Sequence, residues 1–153
     1  GGGSSTRGII AAGLTPSVLN TIDFISIATT GNAQDFGDLI QARRGGSKGQ
    51  SSNSTRMIFY GGQTPTAVAT IDYVEIATLG NATDFGDATA GVGVPAAMAD
   101  ATRAVFAGGD APSNVNTVNF ITILTQGDAV DFGDATIAIA GASGCSNGHG
   151  GLG

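Results

Sequence analysis

A single histidine, a single cysteine and no tryptophan stand in a chain of 153 residues, and each scarcity removes a class of chemistry. His149 sits in a glycine-rich tail, so neither a Ser-His-Asp relay nor a multi-histidine metal centre can be assembled within one chain. Cys145 has no partner for an internal disulfide and is silent about the redox compartment. Cys145 and His149 read together as a thiol nucleophile only in competition with a plainer picture, a small buried thiol beside a solvated tail. Basic residues are also scarce, six Lys and Arg against twelve Asp and Glu, for a net charge of -6. That balance argues against nucleic acid, because phosphate binding needs a basic footprint. The one basic cluster, Arg43, Arg44 and Lys48, occurs once only. No apolar run approaches the roughly 20 residues of a membrane span, and no signal peptide is visible, so no membrane insertion is expected. The chain starts at Gly1 rather than methionine, which reads as a processed product, a fragment or a stretch of a longer polypeptide.

What the chain does have is repetition. Asp84-Phe85-Gly86-Asp87 stands again at Asp35-Phe36-Gly37-Asp38 and at Asp131-Phe132-Gly133-Asp134, and an arginine lies 28 positions before each: Arg7, Arg56 and Arg103. Between each arginine and the closing aspartate, 12 of 32 positions are identical in all three copies. A period near 50 residues points to a repeat architecture, with units of approximately 7–55, 56–102 and 103–153 forming a single repeat domain. Disorder is not expected, because aliphatic and aromatic residues recur in ordered clusters and the net charge is modest.

Each unit reads as four short strands. Arg7 to Ala12, Arg56 to Tyr60 and Arg103 to Ala107 are short apolar runs that end near glycine. A proline-centred turn follows, around Pro16, Pro65 and Pro112. The strongest strand is Thr21–Ile27, repeated at Thr70–Ile76 and Thr117–Ile123, where β-branched and aromatic residues dominate. Gly31-Asn32, Gly80-Asn81 and Gly127-Asp128 suit a turn, and Asp-Phe-Gly-Asp supplies a third strand with one aromatic to bury. The segments 42–52, 90–101 and 136–147 are mostly glycine, alanine and serine, as in an inner strand where backbones crowd near an axis.

Alternate side chains of a strand point to opposite faces, so Ile22 and Phe24 oppose Ile25 and Ile27, and both faces are apolar. Such sheets must be covered on both sides. The expected class is therefore all-β, with three four-stranded repeats forming a β-propeller or part of one; the rival geometry is a three-fold β-prism closed by its termini. Three blades are fewer than closed propellers use. The first blade lacks an inner strand in this reading and residues 137–146 supply a spare one, so one chain's end would complete another's beginning, two chains making a six-bladed ring; a longer parent polypeptide would close without exchange.

Several residues carry a resemblance. The Gly61-Gly62 and Gly108-Gly109 pairs, Asp72-Tyr73 and the aromatic of the next short strand resemble a degenerate kelch motif, and the Asn-Ala-Thr-Asp-Phe-Gly-Asp run at 81–87 is similar to repeats of kelch-like proteins of aquatic phages. Kelch resemblance implies a binding or scaffolding propeller, and the phage resemblance implies a virion appendage. The expected function is that of a non-enzymatic structural and binding protein of a phage tail or fibre, extracellular or in the virion. No cofactor is expected, and the expected partners are further copies of the chain and a receptor or glycan. The alternatives are a subunit of an extracellular filament joined by strand exchange, and a glycan hydrolase using paired carboxylates. The pairs Asp35/Asp38, Asp84/Asp87 and Asp131/Asp134 are candidate calcium ligands, or more simply turn caps bonding backbone amides around a buried Phe36, Phe85 or Phe132. Arg7, Arg56 and Arg103 are expected in an ion pair or stacked on the aromatic strand, with an anion-binding ring as the alternative. Asn53 and Asn81 match the N-glycosylation acceptor pattern.

Overall fold

A computed structural model describes residues 2–45 and 48–146. The fold is all-β, with no helix among the described residues, and consists of three four-stranded antiparallel sheets, one per repeat. Sheet 1 runs β1 (Gly2–Gly3), β2 (Arg7–Thr15), β3 (Ser17–Ser26), β4 (Gln34–Asp38). Sheet 2 runs β5 (Gln50–Ser52), β6 (Arg56–Tyr60), β7 (Thr70–Glu75), β8 (Thr83–Asp87), and sheet 3 runs β9 (Ala96–Ala99), β10 (Arg103–Ala107), β11 (Thr117–Thr122), β12 (Val130–Asp134). Each sheet is a meander in which sequence neighbours pair, as hairpin-length connections require.

The sheets stack face to face with their first strands adjoining, β1 beside β5 and β5 beside β9. One apolar cluster joins Ile9, Ile22, Phe24, Phe36 and Leu39 of sheet 1 to Met57, Phe59, Val74 and Ile76 of sheet 2. A second joins Ile58, Tyr60, Ile71 and Phe85 of sheet 2 to Phe106, Ile121 and Ile123 of sheet 3. Sheet 2 is thus covered on both faces, as blades of a propeller are, and each buried large side chain contributes roughly 1.5–3 kcal/mol.

Two expectations about the ends are corrected. Gly2 and Gly3 do form an inner strand, paired to Gly8 and Ile9, so sheet 1 is complete without help from another chain. Residues 137–146 form no strand; Ile139 bonds to Gly109 and Val115, and only the end of the segment lies along β9, where a Cβ on Gly144 would meet the Ala97 carbonyl. Among the described residues the two termini do not pair with each other. The crowding read from the small residues is real, since a Cβ on Gly49 would meet the Tyr60 carbonyl and one on Gly2 the Met57 sulfur.

Candidate functional site

The repeated residues converge on the seams between sheets. In each unit the Asp-Phe-Gly-Asp strand carries a β-bulge: Ile22 pairs with Gly37 and Asp23 with Asp35, leaving Phe36 as the extra residue. The same shift leaves out Phe85 and Phe132. Glycine follows because the backbone there has φ of 145°, 144° and 136° in the three copies, which a side chain disfavours. The bulge turns the Phe36 carbonyl outward, where it accepts from the Gly80 N–H of sheet 2 (2.8 Å), and the Asp38 carbonyl accepts from Ala82 N–H (2.7 Å). Phe85 and Asp87 accept in the same way from Gly127 and Ala129 of sheet 3 (both 2.8 Å). Asn81 and Asp128 return a bond, their side-chain oxygens accepting from the Asp38 and Asp87 N–H groups (3.0 Å each).

The arginines complete each seam. Arg7 lies over Phe24 and donates through Nη1 to the Ile76 carbonyl of sheet 2 (2.7 Å), and Arg56 lies over Tyr73 and donates to Ile123 of sheet 3 (3.0 Å). Arg103 lies over Phe120 and is exposed. Arg56 also pairs with Glu75 (2.6 Å). Stacking on the aromatic strand, one of the arrangements expected from the sequence, is thus present in all three units. The turn before each arginine is capped by a side-chain oxygen: Ser4 Oγ accepts from Thr6 and Arg7 N–H, Asn53 Oδ1 from Thr55 and Arg56, and Asp100 Oδ1 from Thr102 and Arg103. Those amide bonds hold the Asp100 carboxyl below the usual carboxylate range.

Other predicted residues lie elsewhere than expected. The side chains of Asp35, Asp84, Asp87, Asp131 and Asp134 are exposed and cap no turn; it is the backbone of the motif that bonds, and the caps are Asn81, Asp128 and the residues before the arginines. No group of three or more His, Cys, Asp or Glu is placed to hold a metal among the described residues. Phe36 and Phe85 are buried as expected, but Phe132 is exposed, because among the described residues no further sheet packs on it. Asn53 is buried, with its Oδ1 in the cap and its Nδ2 donating to the Ala101 carbonyl (3.1 Å), so its amide is closed to a glycan in the folded chain; Asn81 is exposed. Cys145 is exposed rather than buried, and His149 lies outside the described residues.

A buried polar pair escaped the sequence reading. Arg43 is fully buried in the first seam, its Nη2 3.1 Å from Asp72 Oδ1 and 3.3 Å from the Phe59 carbonyl, while Asp72 Oδ2 accepts from Ile40 N–H (3.1 Å). Arg43 Nε and Nη1 and Asp72 Oδ1 have no hydrogen-bond partner. Burial pushes the Asp72 carboxyl up despite the opposing Arg43 charge. The basic cluster is thereby divided, Arg43 inside and Arg44 and Lys48 outside. The second seam solves the same position without charge: Val92 replaces Arg43, and Asn119 replaces Asp72 and donates to Tyr60 Oη (2.9 Å), whose hydroxyl burial pushes up to about 12. Alignment of Arg43 with Val92 and Ile139 was the available signal.

The inner strands and the segment 142–146 line a partly open cavity of about 630 Å³, with Gly2 to Ser5, Arg7, Gln50 to Ser52 and Ala142 to Ser146 in its wall. Its rim is tied by Lys48 Nζ donating to the Gly141 carbonyl (2.7 Å) and Ser146 Oγ to the Ala99 carbonyl (2.9 Å). Glycine and serine dominate that wall, which also holds Arg7, Lys48, Gln50 and Cys145. No protein-family model matches the chain, and a search of the curated proteins finds no match.

Proposed function

We propose that the chain is a non-enzymatic structural module of a virion appendage, a phage tail or fibre, whose rim loops meet a receptor or glycan. The observation that supports this is where the repeated chemistry goes. The arginine, the Gly-Asx-Ala turn and the Asp-Phe-Gly-Asp bulge make the bonds between consecutive sheets, so the repeated residues serve mechanical continuity. The likeness of the units to kelch-like repeats of aquatic phages supports the appendage. An antibody to the chain is expected to decorate tails or fibres of phage particles in negative stain, and labelling confined to the cell interior would overturn the proposal. Binding to a glycan array without turnover is the expected companion result; turnover lost in Asp84→Asn or Asp131→Asn would instead establish a hydrolase.

A second reading, a subunit of an extracellular filament, is favoured by one feature: sheets 1 and 3 each leave an apolar face uncovered. Label on cell-free filaments would select it.

A further inference from the structure

The two uncovered faces are the two halves of a seam. Along the repeat, Ile10, Ile25 and Ile27 of sheet 1 stand where sheet 2 has Phe59, Val74 and Ile76 and sheet 3 has Phe106, Ile121 and Ile123. Those six are buried against a preceding sheet, whereas Ile10 and Ile27 are 56% and 57% exposed. At the other end, Phe132 is 56% exposed where Phe36 and Phe85 are each 2% exposed, and Ile139 is exposed where Val92 is buried.

The polar groups match in the same register. Each internal seam has an arginine onto a carbonyl (Arg7 to Ile76, Arg56 to Ile123), two backbone amides onto the bulged strand, and an Asx oxygen accepting in return. Arg103, the Phe132 and Asp134 carbonyls and the Asp134 N–H make no such bond, and neither do the Ile27 carbonyl, the Gly31 and Ala33 N–H groups and the Asn32 side chain. The uncovered surface is already in its seam conformation. Phe120 and Phe132 meet edge to face at 6.0 Å and 79°, as Phe24 and Phe36 do at 6.0 Å and 83° and Tyr73 and Phe85 at 5.9 Å and 85°. A partner would find the ring in place and little side-chain ordering left to do.

We infer that sheet 1 of a second copy of this chain stacks on sheet 3 of the first, forming a third seam with the bonds of the other two: Arg103 to Ile27, Gly31 to Phe132, Ala33 to Asp134, and Asp134 to Asn32. The contact is head-to-tail, so it closes a ring or propagates a filament according to its rotation. Two copies supply six sheets, within the roughly 4–8 blades of closed propellers. The joint is a stacking of faces and not an exchange of strands, since sheet 1 already holds its own β1. Residues 143–146 rest beside β9 in the place an incoming β1 would take, so they lift away when the seam forms. This inference stands on sheet geometry alone and holds wherever the assembly is used.

The test is sedimentation of the purified chain at about 100 μM, well above micromolar affinity. Species at twice the 15.0 kDa chain mass or at higher multiples are expected, and a chain that stays at 15.0 kDa overturns the inference. Phe132→Asp damages only the surface of sheet 3 and Ile27→Asp only that of sheet 1, and both positions are exposed, so each variant is expected to keep the wild-type circular dichroism and run as a monomer. Mixed, they should form a one-to-one pair through the single intact combination of faces. Gly133→Ala is a companion on the same surface: at φ of 136° the added methyl strains the bulge itself, so its circular dichroism is read first, and where that is kept the Cβ, whose equivalent on Gly86 would meet the Gly127 carbonyl, should lower association at least tenfold. Variants that retain wild-type assembly, or a mixture that stays monomeric, refute the joint. Deleting residues 142–153 separates the mechanisms, because a stacked seam survives it and loss of assembly would show strand exchange instead.

Discussion

Arg43 and Asp72 form an ion pair whose removal as a unit is expected to be nearly free, while removal of either half is not. The pair is fully buried, yet three of its polar atoms lack a hydrogen-bond partner, so its desolvation is incompletely offset. Asp72→Asn keeps an oxygen for the Ile40 N–H but leaves a guanidinium inside the seam without a counter-charge, at about 3–5 kcal/mol. For a chain of this size that is a fall in melting temperature of about 10 °C. Arg43→Met preserves most of the buried volume and strands a carboxylate, which can escape by taking a proton. Its cost is about 1–3 kcal/mol at neutral pH. Burial already holds the Asp72 carboxyl above its ordinary range, and a group so raised in the folded state stabilises below its unfolded pKa and loses that contribution as pH rises through the folded one. The deficit of Arg43→Met should therefore shrink as pH is lowered toward the ordinary carboxylate range. The double variant leaves no charge in the first seam, as Val92 and Asn119 leave none in the second, although Ala11 stands where that seam offers Tyr60 Oη as an acceptor; it is expected within about 1 kcal/mol of wild type. Thermal and urea melts of the four chains close the cycle, using a variant such as Phe132→Asp as background to isolate the monomer. Additive costs, with the double variant the least stable, would refute the argument.

Ala12 holds φ of 61° where the other units have Gly61 at 61° and Gly108 at 65°, so Ala12→Gly should raise stability by up to about 1 kcal/mol, read as a higher melting temperature. The reverse change Gly61→Ala should lower it by more than Ala12→Gly raises it, because a Cβ there would also meet the Val92 carbonyl. Asn53→Ala removes an acceptor used by the Thr55 and Arg56 amides, and should cost about 1–3 kcal/mol; Asn53→Asp keeps that acceptor but buries a charge and sets a carboxylate oxygen against the Ala101 carbonyl, so it too should lower the melting temperature, although Asp100 fills the same role at an exposed position. The Asp100 cap has the opposite pH sense to Asp72: its carboxyl lies below the usual range, so its contribution is present above the unfolded carboxylate pKa and lost as pH falls through the folded one. Asp100→Asn should flatten that part of the stability profile while keeping the cap.

Much of the architecture could be read from the repeat, because its signals are local. The β-branched run at 70–75 and the bulge-forming Asp-Phe-Gly-Asp each satisfy their own sheet, and those strands fall where periodicity places them. Small residues marked the crowded inner positions for a steric reason that needs no knowledge of the partner strand. The inner strand of sheet 1 was missed because two glycines carry no side-chain pattern; only their pairing to Gly8 and Ile9 reveals them. The aspartates were misread for a related reason. Their recurrence reported a backbone conformation and its outward carbonyls, and sequence alone does not distinguish a residue kept for its side chain from one kept for its backbone.

The remaining gap lies between units. Phe36, Phe85 and Phe132 share a motif, a bulge and an aromatic neighbour, so everything within the sheet assigns them the same role, and still one of the three faces water. Arg43 likewise occupies the position of Val92 and Ile139, and is stable there only because Asp72 of the next sheet lies opposite. A repeat specifies the shape of each surface, while the neighbouring unit decides whether that surface becomes core. The same logic makes the unmatched Phe132 informative: Phe36 and Phe85 show what kind of surface covers this position, and among the described residues a surface of that kind is left uncovered on sheet 1.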